Sequence, residues 1–390
     1  MNVLIYRYGS ICEPDIIKSL EKAGITVITE NAEITNKRLL SSERIELVDA
    51  RIKESNPVFV FSINFFPDIA KLCNIYGLKY VFWTVDSPVI ELFDEAICLD
   101  TNRGFLFDRA QYEAVAHANP KHLYHLPLAA ATDRFDKVVL SITDDDRRKY
   151  SSDISFVGSL YTEYDKIAAL TDIPDSIRGY VDGITVAAMQ VYGSYIVPQV
   201  LNQNVIREIV RHSSINKENK IADIDEYIAS HQYISYHLAA KERVETLNEL
   251  AKYYKVDLYT GSDVSVLDGV HTHGRIDSLT EMPKVFNLSK INLNMTIRSI
   301  ETGLPLRCFD IMGCGGFLMT NYQDELADMF EIGVDLECYS SVDELIDKCN
   351  YYLKNEDVRK KIAQNGCDKV AAEHTYYHRL MEMLRKVVYV

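Results

Sequence analysis

Short apolar runs alternate with amphipathic stretches through the first 130 residues. The segments 3–8, 25–29, 57–62 and 79–85 are near-continuous apolar or β-branched runs, and 96–99 and 122–126 are shorter ones. Between the first two, residues 14–23 carry Ile16, Ile17, Leu20 and Ala23 on one face at helical spacing, with Pro14 in the first turn and Gly24 after the end. Strands that are apolar throughout are buried on both faces. Their alternation with helix-length segments predicts a parallel sheet covered by helices on both sides.

The pattern changes after Leu126-Pro127-Leu128. The run Thr143-Asp144-Asp145-Asp146-Arg147-Arg148-Lys149 is polar and charged and reads as a solvated surface connection. A second strand–turn unit opens at 153–159, and residues near 165–254 read mostly as helices. Val244, Leu247, Leu250, Ala251 and Tyr254 form one clear apolar face. Strand signals return at 256–260, 290–294 and 317–320. A helix near 342–353 opens with Ser341 and Glu344 at capping-box spacing. The expected architecture is α/β, with two facing, doubly wound, Rossmann-like parallel-sheet domains and a helical insertion in the second. The domains are expected at 1–147 and 148–371, with a C-terminal helix in 372–390 crossing back onto the first. In open α/β sheets ligands bind beyond the carboxyl ends of the strands, so the cleft between the domains is the expected site.

At 390 residues the chain has room for two domains. A net charge of −15 argues against nucleic acid as a partner, because phosphate backbones call for clustered Lys and Arg. The eight cysteines form no Cys-x-x-Cys pair and no zinc-finger spacing, and read as small buried hydrophobes in a reducing compartment. There is no signal-peptide core and no apolar run near the ~20 residues that span a bilayer, so a cytoplasmic location is expected. The turn Tyr8-Gly9-Ser10-Ile11-Cys12-Glu13 lacks G-x-G-x-x-G, and no P-loop occurs, so no nicotinamide or flavin cofactor is expected.

The chemistry concentrates in 303–316. Gly303 permits a tight turn, Pro305 suits a first helical turn, and Gly315-Gly316 ends the helix before a strand. A short helix should therefore point its N-terminus out of the strand that ends at Asn294. Helix N-termini attract anions, and a cation in the first turn is mildly unfavourable there, by a few tenths to ~1 kcal/mol. Arg307 occupies that turn. A diphosphate would remove the conflict and use the arginine fork. Asp310, three residues on, can accept hydrogen bonds from ribose hydroxyls or simply pair with Arg307; the spacing leaves both readings open. His271 and His273, beside Gly269 and Gly274, read as a loop near a nucleotide base.

Met282-Pro283-Lys284-Val285-Phe286, Ser289-Lys290-Ile291-Asn292-Leu293-Asn294, the segment 303–320 and the tail with Ile362-Ala363-Gln364-Asn365-Gly366 and Glu373-His374-Thr375-Tyr376 stand in one order. Together they resemble the C-terminal domain of the spore-maturation (CgeB-like) glycosyltransferases of the GT-B superfamily, from about 153 to 385. Val81-Phe82-Trp83-Thr84-Val85-Asp86-Ser87-Pro88 resembles the domain often paired with it. The resemblance implies a nucleotide-diphosphate sugar donor, a hydroxyl acceptor and no metal. In related retaining enzymes an E-x7-E motif straddles this turn, and its second acid, on the ribose, matches Asp310. The first falls on Thr302, with Glu301 one residue early, which leaves retention or inversion open. Gly158-Ser159 stands where many relatives have a glycine and a basic residue for phosphate, which leaves Arg307 as the phosphate ligand. Thr302, Gly303, Leu304, Asn294 and His273 complete the expected donor side.

In the first domain, Asp86 should end the 79–85 strand, as general base on the acceptor or as a turn residue before Pro88. His125 lies near the interdomain crossing, as a site or hinge residue, and Gly9 and Ser10 lie in the first turn, where acceptor or donor phosphate would approach. Within the same fold an epimerase or hydrolase, or a non-catalytic glycan- or partner-binding protein, are the alternative functions. The residues do not choose among polysaccharide, spore or protein glycosylation, nor between a monomer and a homodimer.

Overall fold

The computed structural model describes residues 1–388. The chain divides into two compact units, one of residues 1–131, 217–222 and 373 onward, the other of 132–216 and 223–372.

The first unit holds a six-stranded parallel sheet of β1 (Asn2–Tyr6), β2 (Thr26–Glu30), β3 (Phe59–Ile63), β4 (Lys79–Trp83), β5 (Asn102–Leu106) and β6 (Leu123–His125), in the order β2-β1-β3-β4-β5-β6. The expected 96–99 strand is instead a 3₁₀ turn, Glu95–Cys98, capped by the Asp94 carboxylate on Ala96 N–H. The strand is β5, hidden in the sequence by its polar start. Asn102 is buried because its amide donates to the carbonyls of Ala96 and Ile97, closing the turn from below. Gly104 is required because a Cβ there would lie 2.2 Å from the Phe82 ring. The last helix, Tyr376–Val388, packs against the helix Glu13–Lys22. Lys79 Nζ donates to Val387 O, Arg379 Nε to Pro127 O at 2.9 Å, and Tyr376 sets its ring edge-on to Trp83.

The second unit's sheet is also parallel, with β7 (Ser152–Val157), β8 (Val256–Tyr259), β9 (His271–Thr272), β10 (Ser289–Asn294), β11 (Leu318–Asn321) and β12 (Glu337–Tyr339) in the order β12-β11-β10-β7-β8-β9. The strand order reverses between β7 and β10, whose register pairs Ile154 with Ile291 and Phe156 with Leu293. These side chains join Leu247, Leu250, Val256, Leu258 and Leu345 in one apolar core. Between β7 and β8 lie several helices, the last of them Ser235–Ala251, which continues directly from a π-helical stretch, Ile228–Ile234.

Thr143–Lys149 is on the surface, as expected, but it is not an irregular connection. It forms the helix Asp144–Tyr150, because Thr143 accepts from Asp146 N–H at 3.2 Å and Asp146 accepts from Thr143 N–H at 2.9 Å. The three acids sit at its N-terminus and the three basic residues at its C-terminus, matching the helix dipole. This helix and Thr132–Leu140 pack on the helix Met282–Leu288, with Lys284 Nζ 3.0 Å from Asp146. Residues 132–147 therefore belong to the second unit, where the polar run had suggested the end of the first. Among the described residues no helix is long and apolar enough to cross a membrane.

Candidate functional site

In the second unit the strand-order reversal opens a crevice at the carboxyl ends of β7 and β10, where open α/β sheets bind ligands. A pocket of about 400 Å³ lies beside it, lined by Gly158 and Ser159 after β7, Tyr259 and Ser262 at the end of β8, and Arg275 and Arg307. Its size is that of a small-molecule site. Gly158 N–H donates to Tyr259 O at 3.1 Å, and a Cβ on Gly158 would press on the Phe156 ring at 3.3 Å. Ser159 Oγ donates to Glu163 Oε1 at 2.8 Å and accepts from Tyr161 N–H, while Ser262 donates to the same Glu163 oxygen at 3.0 Å. Burial works to raise the Glu163 pKa, but hydrogen bonds from its own backbone, Ser159 and Ser262 outweigh it and hold the carboxyl low. Glu163 is a pocket residue that the sequence reading missed; nothing in the local pattern announces it.

Arg307 opens the helix Leu306–Gly313, whose N-cap is Pro305. Its guanidinium lies 5.3 Å from the Phe286 ring centre and 3.5 Å from Asp310 Oδ2. The ion pair is thus formed, while Arg307 also lines the pocket and Asp310 is buried behind it. The helix ends as expected: Gly315 has φ +73°, and a Cβ on Gly316 would lie 2.6 Å from Phe286 O.

Other expected donor residues are engaged within the protein. The Asn294 amide donates to Thr296 and Thr320 hydroxyls at 3.0 and 2.9 Å, tying β10 to β11. Leu304 is a core side chain, and Thr302 Oγ1 donates to Glu325 at 2.8 Å. The Gly303 carbonyl accepts from Gln323 at 3.1 Å, which fixes the turn. Glu301 meets the buried His231 Nε2 at 3.1 Å, and His231 stacks on Tyr227. His273 hydrogen-bonds Asp257 at 2.7 Å and stacks at 4.7 Å on Tyr259, the pocket aromatic.

In the first unit, Tyr8, Asn64 and Asp86 come together beyond β1, β3 and β4. Asn64, in the left-handed conformation at φ 57° that asparagine tolerates, donates to Asp86 Oδ2 at 2.7 Å and to Tyr8 OH at 3.0 Å, and accepts from Val85 N–H. Asp86 is accessible, yet the protein atoms crowded around it raise its pKa above the ordinary aspartate value, and the Asn64 bond pulls it only part of the way back. Burial, then the Asp86 charge, raises the Tyr8 phenol well above its usual value. At the first turn the amides of Tyr8 and Gly9 donate to Glu13, a fully buried carboxylate. An internal acid thus holds the position where Gly9 and Ser10 were expected to receive a phosphate. His125, on β6, contacts Phe107 O at 3.3 Å.

Residues 240–385 match the family model described as glycosyl transferase-like. No curated protein sequence matches the chain. Among solved structures, HepE of Anabaena in complex with UDP-glucose is similar at 10% identity and TM-score 0.58, over 100% of both chains. A sucrose-phosphate synthase from Thermosynechococcus elongatus is similar at 11% identity and TM-score 0.57, over 98% of this chain and 97% of that one. A glycosyltransferase from Rickettsia africae is similar at 11% identity and TM-score 0.56, over 99% and 98%. Residues 240–385 thus resemble a glycosyl transferase-like domain, and the chain shares its two-sheet α/β fold along nearly its whole length with HepE, the sucrose-phosphate synthase and the Rickettsia glycosyltransferase.

Proposed function

We propose that this chain transfers a sugar from a nucleoside-diphosphate sugar to a hydroxyl-bearing acceptor. The observation that carries the reading is the pocket beside the β7/β10 reversal, whose wall residues Arg275 and Arg307 lie inside the segment that matches the glycosyl transferase-like model. The likeness to HepE, solved with UDP-glucose, supports a nucleotide sugar as ligand. The diphosphate meets Arg307 and the start of the Leu306–Gly313 helix, Asp310 takes the ribose hydroxyls, and the base lies toward Tyr259 and His273. The likeness to the CgeB-like enzymes belongs to this reading as well, as does a cytoplasmic location, which suits eight free cysteines.

In the reaction the acceptor oxygen bonds to the anomeric carbon. The bond from that carbon to the diphosphate oxygen breaks, and its electron pair leaves with the nucleoside diphosphate. The acceptor proton goes to Asp86, whose raised pKa suits a general base. Arginines meet the charge on the leaving diphosphate, so the reading calls for no metal ion.

A thermal-shift panel of UDP, GDP, CDP and dTDP sugars tests the donor. At least one is expected to raise the melting temperature at millimolar concentration. If none does, the non-catalytic reading gains, which the commitment of Thr302 to Glu325 in place of a sugar-binding acid also favours.

A further inference from the structure

Arg243, in the Ser235–Ala251 helix, is a buried cation without an acid of its own. It is 8% exposed. Its Nη1 donates to Ser159 O and its Nη2 to Met295 O, both at 2.5 Å. The guanidinium lies 4.2 Å from the Tyr161 ring centre and 5.3 Å from that of Phe156. No carboxylate among the described residues forms an ion pair with it. The adjacent Glu242 is committed to Arg298, at 2.5 Å from Nη2. Two carbonyls and two ring faces soften the burial of an arginine, but they bring no negative charge, and arginine does not escape by losing its proton. Burial accordingly pulls its pKa down, against weaker help from Tyr161 and Glu242.

The location gives this charge a purpose. Nη1 stands 3.9 Å from where a Cβ on Gly158 would be, directly behind the turn after β7. The two carbonyls it holds follow β7 and β10, the strands that flank the order reversal. Ser159, the residue after that glycine, is neutral and turned toward Glu163. Glu163 opposes an anion at this turn, and Asp310 stands behind Arg307. Arg275, Arg307 and Arg243 together outnumber them.

We propose that Arg243 supplies from the helix behind the turn the positive charge that Ser159 lacks, and so positions and neutralises the diphosphate of the donor. This inference rests on the nucleotide-sugar reading above. Arg243 acts through the Ser159 backbone and through space, as a positioning residue.

Calorimetric titration of the full chain with UDP and GDP, and with uridine and guanosine, separates the diphosphate from the rest of the ligand. Arg243→Gln is expected to weaken the bound nucleoside diphosphate by about tenfold or more while leaving the matching nucleoside within about twofold, and Arg243→Lys is expected to recover most of the loss. Equal losses for nucleoside and diphosphate in Arg243→Gln, or unchanged diphosphate affinity, overturn the inference alone. Wild-type protein that binds neither diphosphate nor nucleoside overturns the donor reading and this inference with it. Should Arg243→Gln not fold, Arg243→Lys decides. Retained diphosphate affinity supports the charge role, and parallel loss of both ligands overturns it.

Discussion

Asp86 and Tyr8 meet through a single amide, that of Asn64, and this makes the proposed base adjustable. Asp86→Asn is expected to lower turnover by about a hundredfold or more, with little change in donor affinity, in steady-state kinetics. A base works deprotonated, so the acid limb of the kcat/KM profile should rise with pH through a value above that of an ordinary aspartate. Asn64→Ala removes the bond that lowers this value, and the limb should move to higher pH; a shift the other way would sink the assignment. On the donor side, Arg307→Ala and Asp310→Asn are each expected to weaken nucleotide-sugar binding about tenfold in calorimetry. Unchanged affinity in both removes the site from this helix. The positions of Asp86 and Gly158 after strands and of Arg307 at a helix start were legible in the sequence, because element ends are readable. Asn64, Glu163 and Arg243 were not. Asn64 and Arg243 reach partners on other elements, and Glu163 joins Ser159, four residues back, to Ser262 after β8; the long-range part of that proximity belongs to the strand order rather than to spacing along the chain.

Among elements, the helix Asp144–Tyr150 and strand β5 show where pattern reading stops. Three acids followed by three basic residues look like a solvated run until Thr143 is seen to cap them. β5 begins with Asn102, Arg103 and Gly104, polar or small residues that the turn below and the Phe82 ring require. The capped helix also carries a pH signature. Hydrogen bonds from Thr143, first its backbone N–H, and then Lys284 hold Asp146 down at about 2, and Glu281 is held at about 2 by the Asp277 backbone N–H, Tyr150 and Lys149. Both folded values lie below the ordinary 3.8 and 4.5, so their contribution is complete above that range and fades as pH falls toward 2. Circular-dichroism melts between pH 5 and about 2 should show the wild type losing stability more steeply than Asp146→Asn. Gly316→Ala tests the helix stop. A methyl 2.6 Å from Phe286 O forces the backbone apart and is expected to cost roughly 1–3 kcal/mol in urea unfolding.

At the scale of the whole molecule, both parallel sheets were readable, because apolar strands separated by helices admit few other solutions. The exit from the first unit after Ala131 and the segment 217–222 that rejoins it were not, since no linker composition marks them. The fold is shared at 10–11% identity, so most residues differ between chains that fold alike. Transferase activity, once the donor is known, is expected to survive EDTA; loss that added divalent cation restores would overturn the metal-free reading. The return at Glu373 has a consequence during synthesis. Domains emerging from the ribosome tend to fold in order, N-terminal first. Here the first unit must wait for a helix that is made after the whole second unit. The chain carries its own reporter of that closing event, because its one tryptophan, Trp83, is fully buried and meets Tyr376 of that helix. A chain ended at residue 372 should leave the indole wet and its emission red-shifted, and adding the missing segment in trans should bring the emission back toward the blue.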